Sequence, residues 1–276
     1  MWVTMARITL WEATRKRFSL VAVLATVAFL GLLQWLLSAL QANLTSAGPA
    51  GAVSEPLAAT LLLSLSLFFA YVMIAFFAIL ALSSAITGEV ESGALLAVAT
   101  RPLSRASLYF GRLAGYGALA TAYAVVLVSG VMLLVHLHFP TVSTVWRTYP
   151  LVLGLFVLES WLMAALTMLG SVWLSALANG LVISGLFFAA FLLGSITQLP
   201  FAPSLGDAGI IANVLWPSDA LYRLALYHSG VNGALTPFLG PFGVAHPPSA
   251  LFILYVLVYL AAVTWAGMAA FARKDL

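Results

Sequence analysis

The chain has 276 residues, of which 63% are hydrophobic and only 7% are charged. A water-soluble domain carries about 25% charged residues, so a soluble surface cannot be built from so few charges, and lipid is the natural solvent for this composition. The formal net charge of +3 does not favour nucleic-acid binding, and the absence of cysteine excludes disulfides and thiol chemistry. We expect an all-α, polytopic membrane protein with no nucleic-acid partner.

The first 18 residues mix basic and apolar side chains. Most of their apolar positions recur at three- and four-residue spacing, which suits a helix lying in the membrane interface. A charged flank of the first membrane span would carry the same kinds of residue, so both interpretations stay open. The basic residues of this segment are Arg7, Arg15, Lys16 and Arg17.

Apolar runs long enough to cross a bilayer, which takes about 20 residues, follow along the chain. We predict six transmembrane helices at residues 19–40, 57–86, 113–137, 151–175, 180–199 and 249–271. The fourth and fifth come from one apolar block, 151–199, whose predicted break is at Asn179-Gly180, because Asn-Gly marks a tight turn. The longest connection, 200–248, is predicted to contain a short helix at Ala220–Tyr227, capped by Ser218 or Asp219.

The distribution of Lys and Arg orients these spans, because basic residues concentrate in cytoplasmic connections. Nine lie at the N-terminus, in the 87–112 connection and at the C-terminus, whereas two, Arg147 and Arg223, lie on the other side. We therefore predict that both termini and residues 87–112 are cytoplasmic and that 200–248 is an extracytoplasmic connection. Treating 151–199 as a single span would put the basic C-terminus outside, against this rule.

Glu159 is the acidic residue inside a predicted span. A charge within the membrane is a functional-site hypothesis by default, because exposing it to lipid is costly. We expect Glu159 to face a dimer axis or a water-filled cavity, to pair with Arg147, or to reach the surface from a shifted span boundary. At the start of the third span, Gly111 and Gly115 would allow close helix contact.

The sequence predicts neither a metal site nor catalytic residues in this chain. His136 and His138 are two residues apart, so on a helix they point in nearly opposite directions and cannot share a ligand site. A phosphate-binding Gly-x4-Gly-Lys-Ser/Thr loop is absent, and the lysines are Lys16 and Lys274. If ATP drives this protein, another subunit must bind it.

The connection from Thr87 to Arg112 is the most polar stretch of the chain. Its acidic residues precede a short apolar run, 93–100, which suits a helix at the membrane surface, and Pro102 would end that helix. Ser104 can then cap the helix that leads into the third span. On physical grounds alone, the connection is either a charged helical element presented to the cytoplasm or an ordinary polar loop.

The order of residues in this connection resembles that of the type-2 ABC exporter permeases. Their pattern reads roughly E-x-E-x-G-T, an apolar stretch, P-h-S-R and G-K, with h apolar. This chain has T-G-E-V-E-S-G-A from Thr87, R-P-L-S-R from Arg101 and G-R at Gly111, so Ala replaces Thr and Arg replaces Lys. The basic N-terminal segment is similar to the elbow helix of that family, and the last six residues, F-A-R-K-D-L, are similar to its F-x-R-(R/K)-D-L tail.

The resemblance implies a non-catalytic permease subunit in the cell membrane of a prokaryote. It would pair with a second permease chain, most simply a copy of itself, and each would dock on an ATP-binding cassette ATPase subunit that carries ATP and Mg. The 87–112 connection would be the coupling helix, through which closure of the two ATPase subunits drives export or another movement across the membrane. The coupling positions would be Glu89, Glu91, Gly93, Arg101, Pro102 and Arg105. The alternative function is a membrane anchor or channel-like protein that works without an ATPase.

A second stretch gives a narrower resemblance. Trp216-Pro-Ser-Asp219 followed by Tyr222-Arg223 is similar to the N-P-x-D-x-x-R stretch of permeases from the copper-processing, nitrous-oxide-reductase maturation system. Trp replaces Asn, and the arginine comes one place later. In that subgroup the permease is thought to pass a mechanical signal to an extracytoplasmic partner, so an extracytoplasmic accessory protein is a further expected partner.

Overall fold

The computed structural model describes residues 2–15, 17–86, 105–140, 144–196, 198, 206–231, 242–244 and 246–273. Every regular element within these residues is an α-helix. The helices are α1 (Trp2–Arg15), α2 (Arg17–Ser46), α3 (Pro49–Leu82), α4 (Arg105–His138), α5 (Thr144–Gly170), α6 (Ala176–Ile196), α7 (Gly206–Leu215), α8 (Ser218–His228) and α9 (Leu251–Arg273).

Six of the described helices, α2 to α6 and α9, are long and apolar enough to cross a bilayer. The apolar stretches of α3 and α5 are mostly buried inside the bundle, whereas those of α2 and α9 are mostly exposed. The exposed side chains are large and apolar, as at Leu24, Trp35 and Leu254, so this surface suits hydrocarbon rather than water. The chain is a polytopic all-α membrane protein, which confirms the prediction from composition.

The helices differ from the predicted spans mainly at their ends. Those that cross the membrane extend up to eight residues beyond the predicted segments, because backbone hydrogen bonding continues after the apolar run has stopped. The predicted end of the second span, residue 86, is wrong. Helix α3 ends at Leu82, and a turn follows in which the carbonyl of Ala85 accepts a hydrogen bond from the Arg112 side chain.

The predicted turn at Asn179-Gly180 is also wrong. Helix α5 ends at Gly170 and α6 begins at Ala176, so Asn179 and Gly180 lie inside α6. The buried amide of Asn179 donates to the carbonyl of Thr167 (2.9 Å) and to that of Ser83 (3.2 Å). The residue that indicated a turn therefore caps the end of α5, a role that the local sequence does not distinguish from turn formation.

The sequence predicted that residues 200–248, between α6 and α9, are an extracytoplasmic connection. Part of this connection instead lies inside the bundle. Its described helix α8 is buried from Ser218 to Leu226, and it packs against α3, α5 and α6. Tyr71, in the middle third of the membrane-span segment Ser54–Leu82 of α3, stacks on Tyr222 of α8 with 4.6 Å between ring centroids. The predicted short helix is confirmed, but α8 reaches the depth of the membrane spans.

The predicted cap of this short helix is wrong. Helix α8 begins at Ser218, Pro217 occupies the N-cap position, and no side chain caps the helix. The Ser218 hydroxyl lies 3.2 Å from the hydroxyl of Tyr71, and Asp219 bonds to Arg223 one turn later. Both candidate capping residues therefore serve contacts inside the bundle.

Candidate functional site

The first and last described helices, α1 and α9, both contact the start of α4 at one end of the bundle, which we name the terminus end. Helix α1 packs on the first turns of α4. Arg105, the first residue of α4, donates from Nη1 to the carbonyl of Ala272 in the last turn of α9 (3.2 Å). Since α1 and the end of α9 both contact the start of α4, the three elements form one structural unit.

The contact between α1 and α4 depends on two glycines. A Cβ atom added at Gly111 would lie 2.8 Å from the Met5 Cβ and 2.9 Å from the Trp2 carbonyl oxygen. One added at Gly115 would lie 2.7 Å from the carbonyl oxygen of Ala6. The predicted close contact at this glycine pair is confirmed, and its partner is the N-terminal helix.

The outer face of α1 keeps the mixture of basic and apolar side chains seen in the sequence. Arg7 is exposed, and so are the apolar side chains of Trp2, Ile8 and Trp11. This composition suits a helix at the membrane interface. The side chains of Arg15 and Arg17, and all of Lys16, lie outside the described residues, so the elbow assignment stays a prediction.

The described residues on either side of segment 87–104 lie at the terminus end. Arg112 is buried, and its Nη1 donates to the carbonyl of Ala85 at 2.6 Å, which joins the residues before the segment to those after it. Tyr109, on the same turns of α4, packs its hydroxyl against Gly267 of α9. The predicted coupling positions Glu89, Glu91, Gly93, Arg101 and Pro102 lie outside the described residues, whereas Arg105 is the exposed first residue of α4.

A second group of candidate residues lies deep in the bundle, around Glu159. This residue is in the middle of α5, its exposed fraction is 1%, and neither of its carboxylate oxygens accepts a hydrogen bond from the described residues. Arg147 is exposed and lies twelve residues earlier on the same helix, a rise of roughly 18 Å. Both the pairing with Arg147 and the surface position are therefore wrong, and Glu159 faces the inside of the bundle.

Helix α8 brings an ion pair to this region. Arg223 Nε lies 2.8 Å from Asp219 Oδ2, and the exposed fractions of the two side chains are 1% and 0%. Arg223 also donates from Nη2 to the hydroxyl of Ser195 (3.0 Å) and from Nη1 to the carbonyl of Gly243 (3.1 Å). The guanidinium therefore donates to three acceptors, and the carboxylate of Asp219 is the one among them that carries the opposite charge.

Within the described residues, other polar atoms around Glu159 lack hydrogen-bond partners. The carboxyl groups of Asp219 and Glu159 lie close enough to each other, and to the phenols of Tyr71 and Tyr222, to interact electrostatically. In the described part of the chain, Asp219 Oδ1 and the Tyr222 hydroxyl have no hydrogen-bond partner. We name Tyr71, Glu159, Asp219, Tyr222 and Arg223 the buried polar cluster.

The sequence had separated the residues that this cluster brings together. It placed Asp219 and Arg223 in an outer connection and Glu159 in a span, so their proximity was not predicted. One signal was present, because Asp219 and Arg223 are four residues apart in a predicted helix, a spacing that favours an ion pair. The stretch with the narrower family resemblance, 216–223, contains three of the five cluster residues.

No protein-family model matches the sequence, and no curated protein matches it significantly. Function is therefore inferred from the residues and their geometry.

Proposed function

We propose that this chain is the transmembrane permease subunit of an ATP-binding cassette transporter. It couples ATP hydrolysis on a separate ATPase subunit to export or to mechanical signalling across the membrane. The observation that carries the proposal is the anchoring of both flanks of segment 87–104 to one hub, which consists of the first turns of α4, residues 105–116. The sequence of that segment resembles a coupling helix, and the chain has no phosphate-binding loop of its own.

The hub has contacts suited to receive a force applied to the segment. Arg112 holds the preceding flank through the Ala85 carbonyl, and Arg105 holds the end of α9 through the Ala272 carbonyl. The glycine contact holds α1 on the first turns of α4. An ATPase pushing on residues 87–104 would therefore move the start of α4 together with α1, α3 and α9.

The distribution of charge supports a cytoplasmic position for the terminus end. The sequence count set nine basic residues against two, Arg147 and Arg223. Because Arg223 is buried in an ion pair and Arg112 of α4 is also buried, neither belongs to a solvent-exposed connection, and the count becomes eight against one. In the cell membrane of a prokaryote, this bias would place the terminus end where an ATPase can reach it.

The proposal also implies which other chains this protein binds. A second permease chain, most simply a second copy, and two ATPase subunits would complete the assembly. The stretch 216–223, which resembles the maturation subgroup, packs between the spans, where movements of α3, α5 and α6 would reach it. This placement supports signalling to an extracytoplasmic accessory protein as the alternative to export.

Replacing Glu89 and Glu91 together by Ala is expected to weaken retention of the ATPase subunit, or ATP turnover by the complex, by about tenfold, the effect of about 1.4 kcal/mol. The acidic pair would contact basic or backbone groups of the ATPase, and the double variant removes both charges. The measurement is retention of an ATPase subunit when the tagged chain is purified from its own host cells, followed by ATP turnover in lipid nanodiscs.

The matched control for this experiment is Glu55→Ala. Glu55 lies at the start of α3, far from the terminus end, so retention and turnover should not change. If assembly and turnover are also unchanged in the double variant, the coupling assignment is wrong. If the chain is fully functional without an ATPase subunit, it is a membrane anchor or channel-like protein instead.

A further inference from the structure

The buried polar cluster contains one acidic group more than it has positive charges. Its carboxyl groups are those of Glu159 and Asp219, and its cation is Arg223, which lies 2.8 Å from Asp219. Glu159 has an exposed fraction of 1% and accepts no hydrogen bond from the described residues. If Glu159 were ionised, the cluster would carry a net negative charge in the middle of a membrane span.

Among the described residues, no cation on the neighbouring helices pairs with Glu159. Helix α3 contributes Glu55 and the phenol of Tyr71, α8 contributes Asp219, Tyr222, Arg223, Tyr227 and His228, and α6 has no ionisable residue. In the described part of the chain, the charged group that acts on Glu159 is Asp219, which has the same sign. The ionisable residues of the other helices that pack on α5 are Arg105, Tyr109, Arg112, Tyr116, Tyr123, His136 and His138 of α4, and Tyr255, Tyr259 and Arg273 of α9.

Burying an unpaired carboxylate is strongly unfavourable, and such a group binds a proton instead of staying charged. We infer that the buried polar cluster is a proton-binding site, in which Glu159 carries one exchangeable proton beside the Asp219–Arg223 ion pair. The protonated cluster has no net charge. It also gains an O–H donor in a region where Asp219 Oδ1 and the Tyr222 hydroxyl have no partner.

A cavity lies beside the cluster, on the side of α8. It has a volume of about 430 Å³ and reaches Arg223 and Ala220 of α8. Its lining includes the polar side chains of Gln198, Asn213 and His246. Water in this cavity could deliver or remove the proton near α8. Because loss of the proton sets two negative charges against each other across α5 and α8, proton release would weaken the packing of these helices.

The inference is independent of the proposed function, because it requires neither an ATPase nor a transported substrate. The test compares the wild-type chain with Glu159→Gln, which keeps the shape of a protonated glutamate but cannot ionise. Thermal unfolding is measured in lipid nanodiscs at about pH 6 and about pH 9, well above the usual glutamate pKa of about 4.3. Glu55→Gln makes the same chemical change outside the cluster.

Whether the melting temperature rises or falls with pH depends on which protonation state of Glu159 the folded chain favours. A group that is protonated in the fold and ionised in the unfolded chain stabilises the fold most at low pH, and this stabilisation is lost as pH rises. We expect the wild-type melting temperature to fall by several degrees from pH 6 to pH 9, and the Glu55→Gln variant to behave alike. Glu159→Gln should lose that fall and be at least as stable as the wild type at pH 6. A fall that persists undiminished in Glu159→Gln would overturn the inference.

Infrared spectroscopy gives a second readout that does not depend on stability. A protonated carboxyl group has a carbonyl band separate from the bands of carboxylates, and the wild type should show one that Glu159→Gln lacks and Glu55→Gln retains. A wild-type spectrum without this band would show that Glu159 is ionised. Stabilisation of the wild type, but not of Glu159→Gln, by sodium or potassium chloride relative to choline chloride would show that a metal cation fills the site, which also contradicts a proton.

Discussion

Arg223→Ala is expected to reduce the free energy of unfolding by about 3–5 kcal/mol, the usual effect of removing one partner of a buried ion pair. Asp219 would keep a charge that is fully buried and has lost its partner at 2.8 Å. The hydroxyl of Ser195 and the carbonyl of Gly243 would lose their bonds to the guanidinium as well. Unfolding of the variant and the wild type in detergent micelles, followed by circular dichroism, measures the difference.

The matched control for this change is Arg147→Ala, because Arg147 is exposed in the first turn of α5. Its loss should change the stability by less than about 0.5 kcal/mol, as is usual for surface substitutions. The double variant Asp219→Asn, Arg223→Met should regain much of the stability, because neither partner then leaves a buried charge. An Arg223→Ala chain as stable as Arg147→Ala would contradict the buried ion pair.

Gly115→Leu is expected to displace α1 from α4 and to destabilise the chain by at least about 1–3 kcal/mol, the usual range for overpacking. A Cβ at this position meets the backbone carbonyl of Ala6 at 2.7 Å and the Thr9 Cβ at 2.8 Å. Backbone atoms cannot rotate away as the end of a flexible side chain can, so the helices must separate. The start of α4 would then lose one of the contacts that we propose transmit force from the coupling segment.

The displacement can be measured by spin labelling, because the chain has no cysteine that would react elsewhere. Labels at Ile8→Cys on α1 and Val126→Cys on α4, both exposed positions, report the distance between the two helices. The distance distribution should shift and broaden in Gly115→Leu. Gly154→Leu is the control, since no atom lies within 4 Å of a Cβ at Gly154. An unchanged, narrow distribution in Gly115→Leu would show that α1 does not depend on this contact.

Much of the fold could be predicted because a bilayer imposes simple rules. The apolar runs gave six membrane-crossing helices, and the structure confirms six of sufficient length and apolarity among the described residues. The elements that were placed wrongly depend on tertiary contacts. Asn179 was interpreted as a turn residue, but its amide bonds to the carbonyls of Thr167 and Ser83, which are distant in sequence.

The sequence predicted helix α8 but not its burial, and this is the larger error. The sequence of α8, S-D-A-L-Y-R-L-A-L-Y-H, carries two charges and reads as a short helix in an outer connection. The structure buries both charges against each other, so their mutual pairing makes the helix suitable for the interior. Local sequence cannot show this, because the burial of Asp219 depends on Gly194 of α6, where a side chain would collide with that carboxylate.

For the candidate sites too, some features could be predicted from the sequence and others required the structure. The intramembrane position of Glu159 follows from the sequence, whereas its neighbours on α8 required the structure. The coupling positions rest on the resemblance of residues 87–105 to a family pattern, and the structure contributes the hub that flanks them. Physical rules for spans and charges could not have identified a coupling element, because a polar cytoplasmic loop obeys the same rules.

If segment 87–104 contacts an ATPase subunit, as we propose, site-directed cross-linking will capture that contact. A photoactivatable label on Ser92→Cys, in an otherwise cysteine-free chain, should form a covalent adduct with the co-purified ATPase subunit. The same label on Ser46→Cys, at the far end of α2, should form none. Absence of the adduct at Ser92 in an assembled complex, or equal yields at both positions, would show that segment 87–104 does not make the proposed contact.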